Sequence, residues 1–324
     1  MRALVVSEFA PPEHAQIQEV DAPAPGPQDV VIEVKAAGVG FVDGLIVQGL
    51  YQVKPPLPFI PGGEIAGVIS DIGTEVETLK PGDRVMTLAP AGGFAEKAKA
   101  KALGCIPIPD NLSFEAAAGF TVSYCTGLYG LKDQGNLKKG ETVLVLGAAG
   151  GVGLAAIDIA KALGANVIAA ASTEEKRALC IAQGADETVD YTQEDWRQTV
   201  KDLTDGNGVD VVYDPVGGSM SELALRSLGH GGRHLVIGFA AGEIPRIPLN
   251  LPLLKRCQIV GVDWGGWMRE DPSRNIPLLT QLLEWVAMKH LNPPQGQTYP
   301  LDNAPQALRD LLDRKVLGKA VIVP

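Results

Sequence analysis

The sequence predicts an α/β protein of two domains, a doubly wound parallel sheet combined with a smaller, mostly antiparallel β domain. Two contrasts in texture carry that expectation. Residues 1 to about 110 contain short β-like runs, Ala3–Val6, Val30–Ala36, Ile65–Ile72 and Arg84–Leu88, separated by clusters such as Pro23-Ala-Pro-Gly-Pro27 and Lys80-Pro-Gly-Asp83. Runs punctuated in this way belong to a twisted antiparallel domain with tight turns. From Ser113 onward, strand-like and helix-like segments alternate, which implies parallel pairing through crossover helices.

Each element of the second part can be placed in order. A helical stretch, Phe114–Leu131, precedes strands at Thr142–Gly147, Asn166–Ala171, Glu187–Val189, Val209–Asp214, His234–Gly238 and Gln258–Val262. An amphipathic helix, Arg274–Lys289, then leads through Gln297–Pro300 to a short helix, Ala304–Arg314, and a last strand, Lys319–Val323. That strand can return to the first domain and close it. No internal repeat or low-complexity segment interrupts the order.

The chemistry is concentrated at Val143-Leu-Val-Leu-Gly147-Ala-Ala-Gly150-Gly-Val-Gly153, an apolar run ending in glycines and followed by the helical segment Leu154–Leu163. A buried strand, a tight turn and a helix in succession present unpaired backbone N–H groups to an anion at the helix N-terminus. Read as Ala148-x-Gly150-x-x-Gly153, the pattern resembles the dinucleotide fingerprint in its required strand–turn–helix context. Gly150 lets backbone approach a pyrophosphate, and Gly153 lets the helix pack closely on the strand. Ala149, Gly151 and Val152 complete the candidate cradle.

The end of the following strand distinguishes the two nicotinamide dinucleotides. NAD sites place an acid there for the ribose hydroxyls. Here the positions are Ala171, Ser172 and Thr173, with Lys176 behind them and Tyr191 after the next apolar stretch. A hydroxyl and an ammonium without a carboxylate suit a 2′-phosphate, so NADPH is the expected cofactor. For Lys176, a solvated helix position beside Glu174 and Glu175 is the competing reading.

Composition bounds the partners. Of the 324 residues 46% are hydrophobic and 20% charged, which describes a globular protein with ample core. The net charge of −10 argues against nucleic acid and anionic membrane surfaces as partners. Without an apolar leader or an 18-residue apolar run, cytoplasmic localisation is the expectation. The four dispersed cysteines, Cys105, Cys125, Cys180 and Cys257, fit reduced, buried thiols.

Several segments together resemble the zinc-independent quinone oxidoreductase branch of the medium-chain dehydrogenase/reductase superfamily. They are Ala36-Ala-Gly-Val-Gly40-Phe-Val-Asp43, Pro61-Gly-Gly-Glu-Ile-Ala-Gly67, Leu79-Lys-Pro-Gly-Asp-Arg-Val85, Ala148-Ala-Gly-Gly-Val-Gly153, Val211-Val-Tyr-Asp-Pro-Val-Gly217 and Gly318-Lys-Ala-Val-Ile-Val323. The resemblance implies a GroES-like β domain from residues 1–121 and 263–324, an inserted Rossmann domain from 122–262, and an active cleft between them. It also implies a homodimer formed through edge strands of the Rossmann sheet.

Zinc-dependent relatives carry Cys and His ligands near the first helix and in a Gly-His-Glu turn, together with a four-cysteine lobe. This chain has Gly38–Asp43 and Gly62-Gly63-Glu64 there, and no cysteine cluster, so no metal is expected. His230 and His234 flank Gly231-Gly-Arg233 in a strand lead-in, where an i, i+4 spacing does not create a shared helix face.

The remaining site residues rest on the resemblance. Gly40 stands where relatives carry an Asn facing nicotinamide and substrate; the glycine removes a donor and enlarges the pocket. Tyr51 matches a tyrosine near the acceptor and is the candidate donor to the developing oxyanion, with half-buried packing as the alternative. Asp43 either orients neighbours or caps its helix. Thr126 matches a threonine beside the nicotinamide ribose and phosphate, with Ser123 one helical turn away, although a Thr bonded back to its own helix would look the same. Gly238, Phe239, Ala240, Val262 and Trp264 match backbone that crosses the nicotinamide. Trp264 and Trp267 suit either an aromatic substrate wall or an interface. Lys319 matches a position reaching the cofactor region, with a surface lysine as the alternative.

Without zinc to polarise a simple carbonyl, a conjugated acceptor is favoured, because its π-system carries the arriving charge to oxygen. The expected activity is reduction of quinones or related α,β-unsaturated carbonyls by NADPH. An enoyl-thioester or alkenal reductase is the nearest alternative. An NADPH-binding sensor or structural protein with little turnover is the alternative from another class.

Overall fold

The structure is a computed structural model describing residues 1–324. It divides into two compact units, Met1–Thr121 with Pro293–Pro324, and Val122–Asn292.

The first unit starts with a two-stranded antiparallel ribbon of β1 (Arg2–Val5) and β2 (Gln16–Glu19). The long strand β3 (Asp29–Val39) leads into helix α1 (Phe41–Val47), followed by β4 (Glu64–Ile72), β5 (Arg84–Leu88), β6 (Lys97–Lys101), β7 (Cys105–Pro107) and helix α2 (Phe114–Ala118). The pairing β3-β4-β5-β7 is antiparallel, and β6 pairs antiparallel with β3.

The second unit begins with helix α3 (Thr121–Leu128), which continues as a wider turn over Tyr129–Gln134. Strands and helices then alternate: β8 (Thr142–Val145), α4 (Gly151–Ala162), β9 (Asn166–Ala170), α5 (Glu174–Ala182), β10 (Glu187–Val189), α6 (Trp196–Leu203), β11 (Val209–Asp214), α7 (Gly218–Arg226), β12 (Leu228–Val236), α8 (Asn250–Lys255) and β13 (Gln258–Gly261). Helices α9 (Trp264–Glu270) and α10 (Asn275–Ala287) finish the unit. The six strands form a parallel sheet in the order β10-β9-β8-β11-β12-β13. Reversal of the order between β8 and β11 makes the doubly wound topology, whose ligand crevice lies at the carboxyl ends of the strands.

The chain then returns to the first unit with β14 (Gln297–Pro300), α11 (Ala304–Leu312) and β15 (Ala320–Val323). β15 pairs antiparallel with β3, Ala320 opposite Val39, and parallel with β14. The last strand therefore completes the first sheet, as its sequence position suggested.

Each unit has its own core. Alternation places Val30, Ile32 and Val34 of β3 with Ile65 and Ile69 of β4, Phe94 and Leu308 in the first. In the second, Leu144, Ile168, Val212, Leu225 and Trp196 pack together on one side of the parallel sheet. Val143–Leu146 is at most 1% exposed, the pattern of a central strand covered on both faces.

Two expectations change. Residues 263–292 belong to the second unit, so the boundary falls at 293 rather than 263. The cause is packing: Leu278, Leu279, Leu282 and Val286 of α10 are buried, Lys132 Nζ donates to Gln281 Oε1 at 2.7 Å, and Asn292 N–H donates to Asp158 Oδ2 at 2.9 Å. The single helix expected over Phe114–Leu131 is interrupted between α2 and α3 at Gly119 and Phe120, whose N–H groups turn back to the carbonyls of Ala116 and Ala117. No helix is long and apolar enough to cross a membrane.

Candidate active site

In the second unit the turn after β8 matches its expected mechanics. Gly147 adopts φ +55°, and a Cβ on Gly153 would lie 2.6 Å from the carbonyl oxygens of both Gly147 and Ala148. Only glycine permits that approach of α4 to the turn. Gly150 differs: an added Cβ would meet only the Gly147 oxygen, at 3.4 Å. Its exposed side is a cradle of bare backbone at the start of α4. The first bond donated back into the helix is Leu154 N–H to Gly150 O at 2.8 Å, so the helix offers no acceptor to the N–H groups of Gly151, Val152 and Gly153. No side chain caps this end. Backbone donors facing a side-chain-free concavity fit a dinucleotide pyrophosphate.

The adjoining strand ends converge on the same edge. Ser172 is half-buried just beyond β9, and Thr173 caps α5 by accepting the Lys176 N–H at 3.2 Å. No carboxylate occupies positions 171–173, and Glu174 and Glu175 are exposed on the first turn of α5. Tyr191 is half-buried beyond β10. Arg177, which its sequence context did not single out, donates to the Ala171 carbonyl and pairs with Asp190 at 3.0 Å, fastening the end of β9 to the segment after β10.

At the ends of β11 and β12, Ala240 N–H donates to Pro215 O at 3.1 Å and Gly238 N–H to Asp214 O at 3.3 Å. Phe239 is 40% exposed. Beneath this backbone lies a buried network that motif reading missed. Asp214 Oδ1 accepts the N–H groups of Val216 and Gly217, both at 2.9 Å, while Oδ2 receives Ser221 Oγ at 2.5 Å and meets His234 Nε2 at 3.0 Å. Burial acts to raise the Asp214 carboxyl, but hydrogen bonds from His234, Ser221 and the Gly217 N–H hold it below the usual carboxylate range. The carboxylate thus fixes the turn that carries the strand end.

Val262 is buried beyond β13. Trp264 is only 4% exposed and its indole N–H donates to Asn275 Oδ1 at 2.9 Å, so its side chain is a packing element and not a substrate wall or interface. Trp267 stacks on Tyr129 with ring centroids 4.7 Å apart. Ser123 is buried on α3 and Thr126 lies half-buried three residues later. Tyr124 between them donates to Asp158 at 2.8 Å, anchoring the helix.

The first unit gathers Gly40, Asp43 and Lys319, together with Glu64. Asp43 Oδ2 accepts the Gly40 N–H at 2.7 Å, and Asp43 N–H returns a bond to Gly40 O at 3.0 Å, so helix capping is one role of Asp43. The protein packed around its carboxyl pushes it up to about 6, opposed by the Gly40 N–H, Lys319 and the Gly62 N–H, and reinforced by Glu64. Lys319 forms an ion pair with Glu64, their side chains 12% and 7% exposed, and is not a surface lysine. Glu64 has no local signature; its partner is 255 positions away. Tyr51 is half-buried in the segment after α1.

Comparison with known proteins agrees with this arrangement. Residues 26–110 match the alcohol dehydrogenase GroES-like domain, and residues 151–281 match the zinc-binding dehydrogenase domain. The chain is 39% identical over 323 residues to quinone oxidoreductase-like protein 2 of Rattus norvegicus, covering 99% of this chain and 91% of that protein. It superposes on Escherichia coli quinone oxidoreductase complexed with NADPH with a TM-score of 0.87 and 30% identity, covering all of both chains. Quinone oxidoreductase of Thermus thermophilus, also solved with NADPH, gives a TM-score of 0.86 and 34% identity over the full length of both. With both domain models matched and full-length relatives above 30% identity, the chain belongs to the quinone oxidoreductase branch of the medium-chain dehydrogenase/reductase superfamily.

Proposed function

We propose that the protein is an NADPH-dependent, zinc-independent oxidoreductase that reduces quinones or related α,β-unsaturated carbonyls. The observation carrying this reading is the bare Gly150 cradle at the carboxyl edge of the parallel sheet, flanked by a β9 end with hydroxyls and Lys176 in place of an acid. The backbone of Gly150, Gly151 and Val152 would hold the pyrophosphate, with Ser172, Lys176 and Tyr191 around the 2′-phosphate. NADPH, which the Escherichia coli and Thermus proteins bind, supplies a hydride when held there.

The chain's own residues bind, orient and stabilise. Ser123 and Thr126 face the nicotinamide ribose and phosphate, and the segments at Gly238–Ala240 and Val262–Trp264 position the ring through backbone. Lys319 supports the site through Glu64. Tyr51 donates a hydrogen bond to the acceptor oxygen as negative charge develops on it. Zinc independence is supported by the segments Gly38–Asp43 and Gly62-Gly63-Glu64, which carry no Cys or His where zinc enzymes carry their ligands. With no metal to polarise the carbonyl, conjugation in the acceptor spreads the charge.

The test follows NADPH absorbance with a benzoquinone, an ortho-quinone, an enal and a crotonyl thioester. Turnover of the quinones supports the reading. Preference for the thioester or the enal moves the assignment to an enoyl-thioester or alkenal reductase, and tight NADPH binding with no turnover moves it to a sensor. Lys176→Ala should raise the Michaelis constant for NADPH about ten-fold and leave that for NADH within about two-fold, the loss of one charge-assisted contact to phosphate. Equal effects on both cofactors would defeat the 2′-phosphate assignment. The dimer is likewise proposed, through the free edge of β13.

A further inference from the structure

Outside the dinucleotide edge, the second unit contains a cleft of about 560 Å3 bordered by α6, α7, the start of β12 and the end of α8. A chain with ten excess negative charges concentrates cations here. Arg197, Arg226 and Lys255 all line the cleft. Arg226 is already satisfied by Glu222, which accepts from its Nε at 2.9 Å and its Nη2 at 2.6 Å. Lys255 Nζ donates to the Leu228 carbonyl at 2.5 Å but has no carboxylate partner. Arg197 has no ion-pair partner, and its Nε is fully enclosed without an acceptor.

These cations act on one another. Burial, followed by the Arg226 charge, holds Arg197 below its ordinary value against the opposing pull of Glu222. Burial also depresses Lys255, with Arg197 and Arg226 adding to the effect and Cys257 opposing it. Glu194 and Asp195 also line the cleft, at the start of α6, but neither pairs with Arg197 or Lys255. With the Arg226–Glu222 pair counted as neutral, Arg197, Lys201 and Lys255 outnumber the lining carboxylates Glu194 and Asp195, so the cleft is locally cationic in a chain of net negative charge.

We propose that this cleft binds a phosphate monoester, whose oxygens can accept from the outer N–H groups of the Arg197 guanidinium and from the Lys255 ammonium. A phosphate monoester carries about 1.5 to 2 negative charges near neutral pH and three strong acceptor oxygens, and a guanidinium presents planar donors to them. The volume lies in the range of small-molecule sites, so an organic substituent can occupy the space along α6 and α7. The site is separate from the Gly150 cradle and independent of which acceptor the enzyme reduces.

The experiment titrates phenyl phosphate, with benzoate as a single-charge control, into the intact protein by isothermal calorimetry, both without and with saturating NADPH. Phenyl phosphate should bind saturably with one site per chain, unaffected by NADPH, and about ten-fold more tightly than benzoate. Arg197→Gln and Lys255→Gln should each weaken that binding about ten-fold while leaving NADPH affinity within about two-fold, which also shows that both variants fold. Absence of saturable binding, or undiminished binding to Arg197→Gln, overturns the proposal. Displacement of phenyl phosphate by NADPH, or a parallel loss of NADPH affinity in the variants, assigns the cations to the cofactor and overturns it as well.

Discussion

Gly150 and Gly153 lie one helical turn apart, yet their substitutions should separate binding from folding. Alanine at 153 would put its methyl 2.6 Å from two backbone oxygens, which only displacement of α4 can relieve. A loss of about 2–3 kcal/mol in urea-unfolding stability is expected, with NADPH binding weakened as a consequence. Alanine at 150 has an allowed φ of −83° and no contact closer than 3.4 Å, so stability should change by less than about 0.5 kcal/mol. Its methyl would nevertheless occupy the cradle, and NADPH affinity should fall about ten-fold by fluorescence titration. Unchanged affinity in Gly150→Ala would remove the pyrophosphate from this turn.

Asp43 gives a second expectation at this scale. A carboxyl raised to about 6 in the folded protein holds its proton more tightly folded than unfolded, where it titrates near 4. Its contribution to stability is therefore full below about pH 4 and is lost as pH rises through about 6. Asp43→Asn keeps an acceptor for the Gly40 N–H but removes the titration. Across pH 4 to 7, wild-type stability should decline relative to the variant by about 2 kcal/mol, after allowance for solvent near the half-buried group. Parallel pH profiles of the two proteins would exclude Asp43 as the titrating group.

Among the elements, β15 is tied to the first sheet by more than its ladder with β3. Lys319, immediately before β15, is paired with Glu64 at the start of β4. Breaking a largely enclosed ion pair from one side leaves an uncompensated charge, so Lys319→Met should cost about 3 kcal/mol in chemical denaturation. The double variant Lys319→Met with Glu64→Gln should cost less than the sum of the two single changes; strict additivity would mean that the pair is not coupled. The same elements show how far sequence reading reached. The strands of the parallel sheet were legible from their alternation with helical segments, and β10, β11 and β5 have the expected limits, whereas β2, β6 and β7 were not anticipated, β2 and β6 because charged and polar residues interrupt their apolar pattern. The break between α2 and α3 was not legible. A Cβ at Gly119 would come 3.0 Å from Lys319 Cγ, so the helix end adjoins a strand arriving 200 positions later. Glu64 and the Asp214–Ser221–His234 network escaped for the same reason: their roles come from partners brought together by the sheets, whereas the glycine turn carries its chemistry within a few consecutive residues.

For the whole molecule, the order of motifs along the chain revealed both sheets, but the boundary near residue 263 depended on where α9 and α10 pack, which local pattern does not encode. The remaining question is assembly. β13 pairs only with β12, leaving its outer edge unpaired, and Ile259 on it is 42% exposed. Nearby in sequence, Ile244, Leu249, Leu253 and Leu254 are 68–79% exposed. An open edge strand accompanied by several bare aliphatic side chains is an aggregation hazard in a monomer, and a second copy of the chain pairing at the same edge would cover both features. Light scattering coupled to size-exclusion chromatography should therefore report twice the 34.1 kDa chain mass at micromolar concentration. Ile259→Lys with Leu253→Glu should shift the species to a monomer, because each change places a charge where the dimer would bury an apolar group. A wild-type protein that remains monomeric at these concentrations would reject the interface. If the variant were still dimeric, the association would have to use another surface.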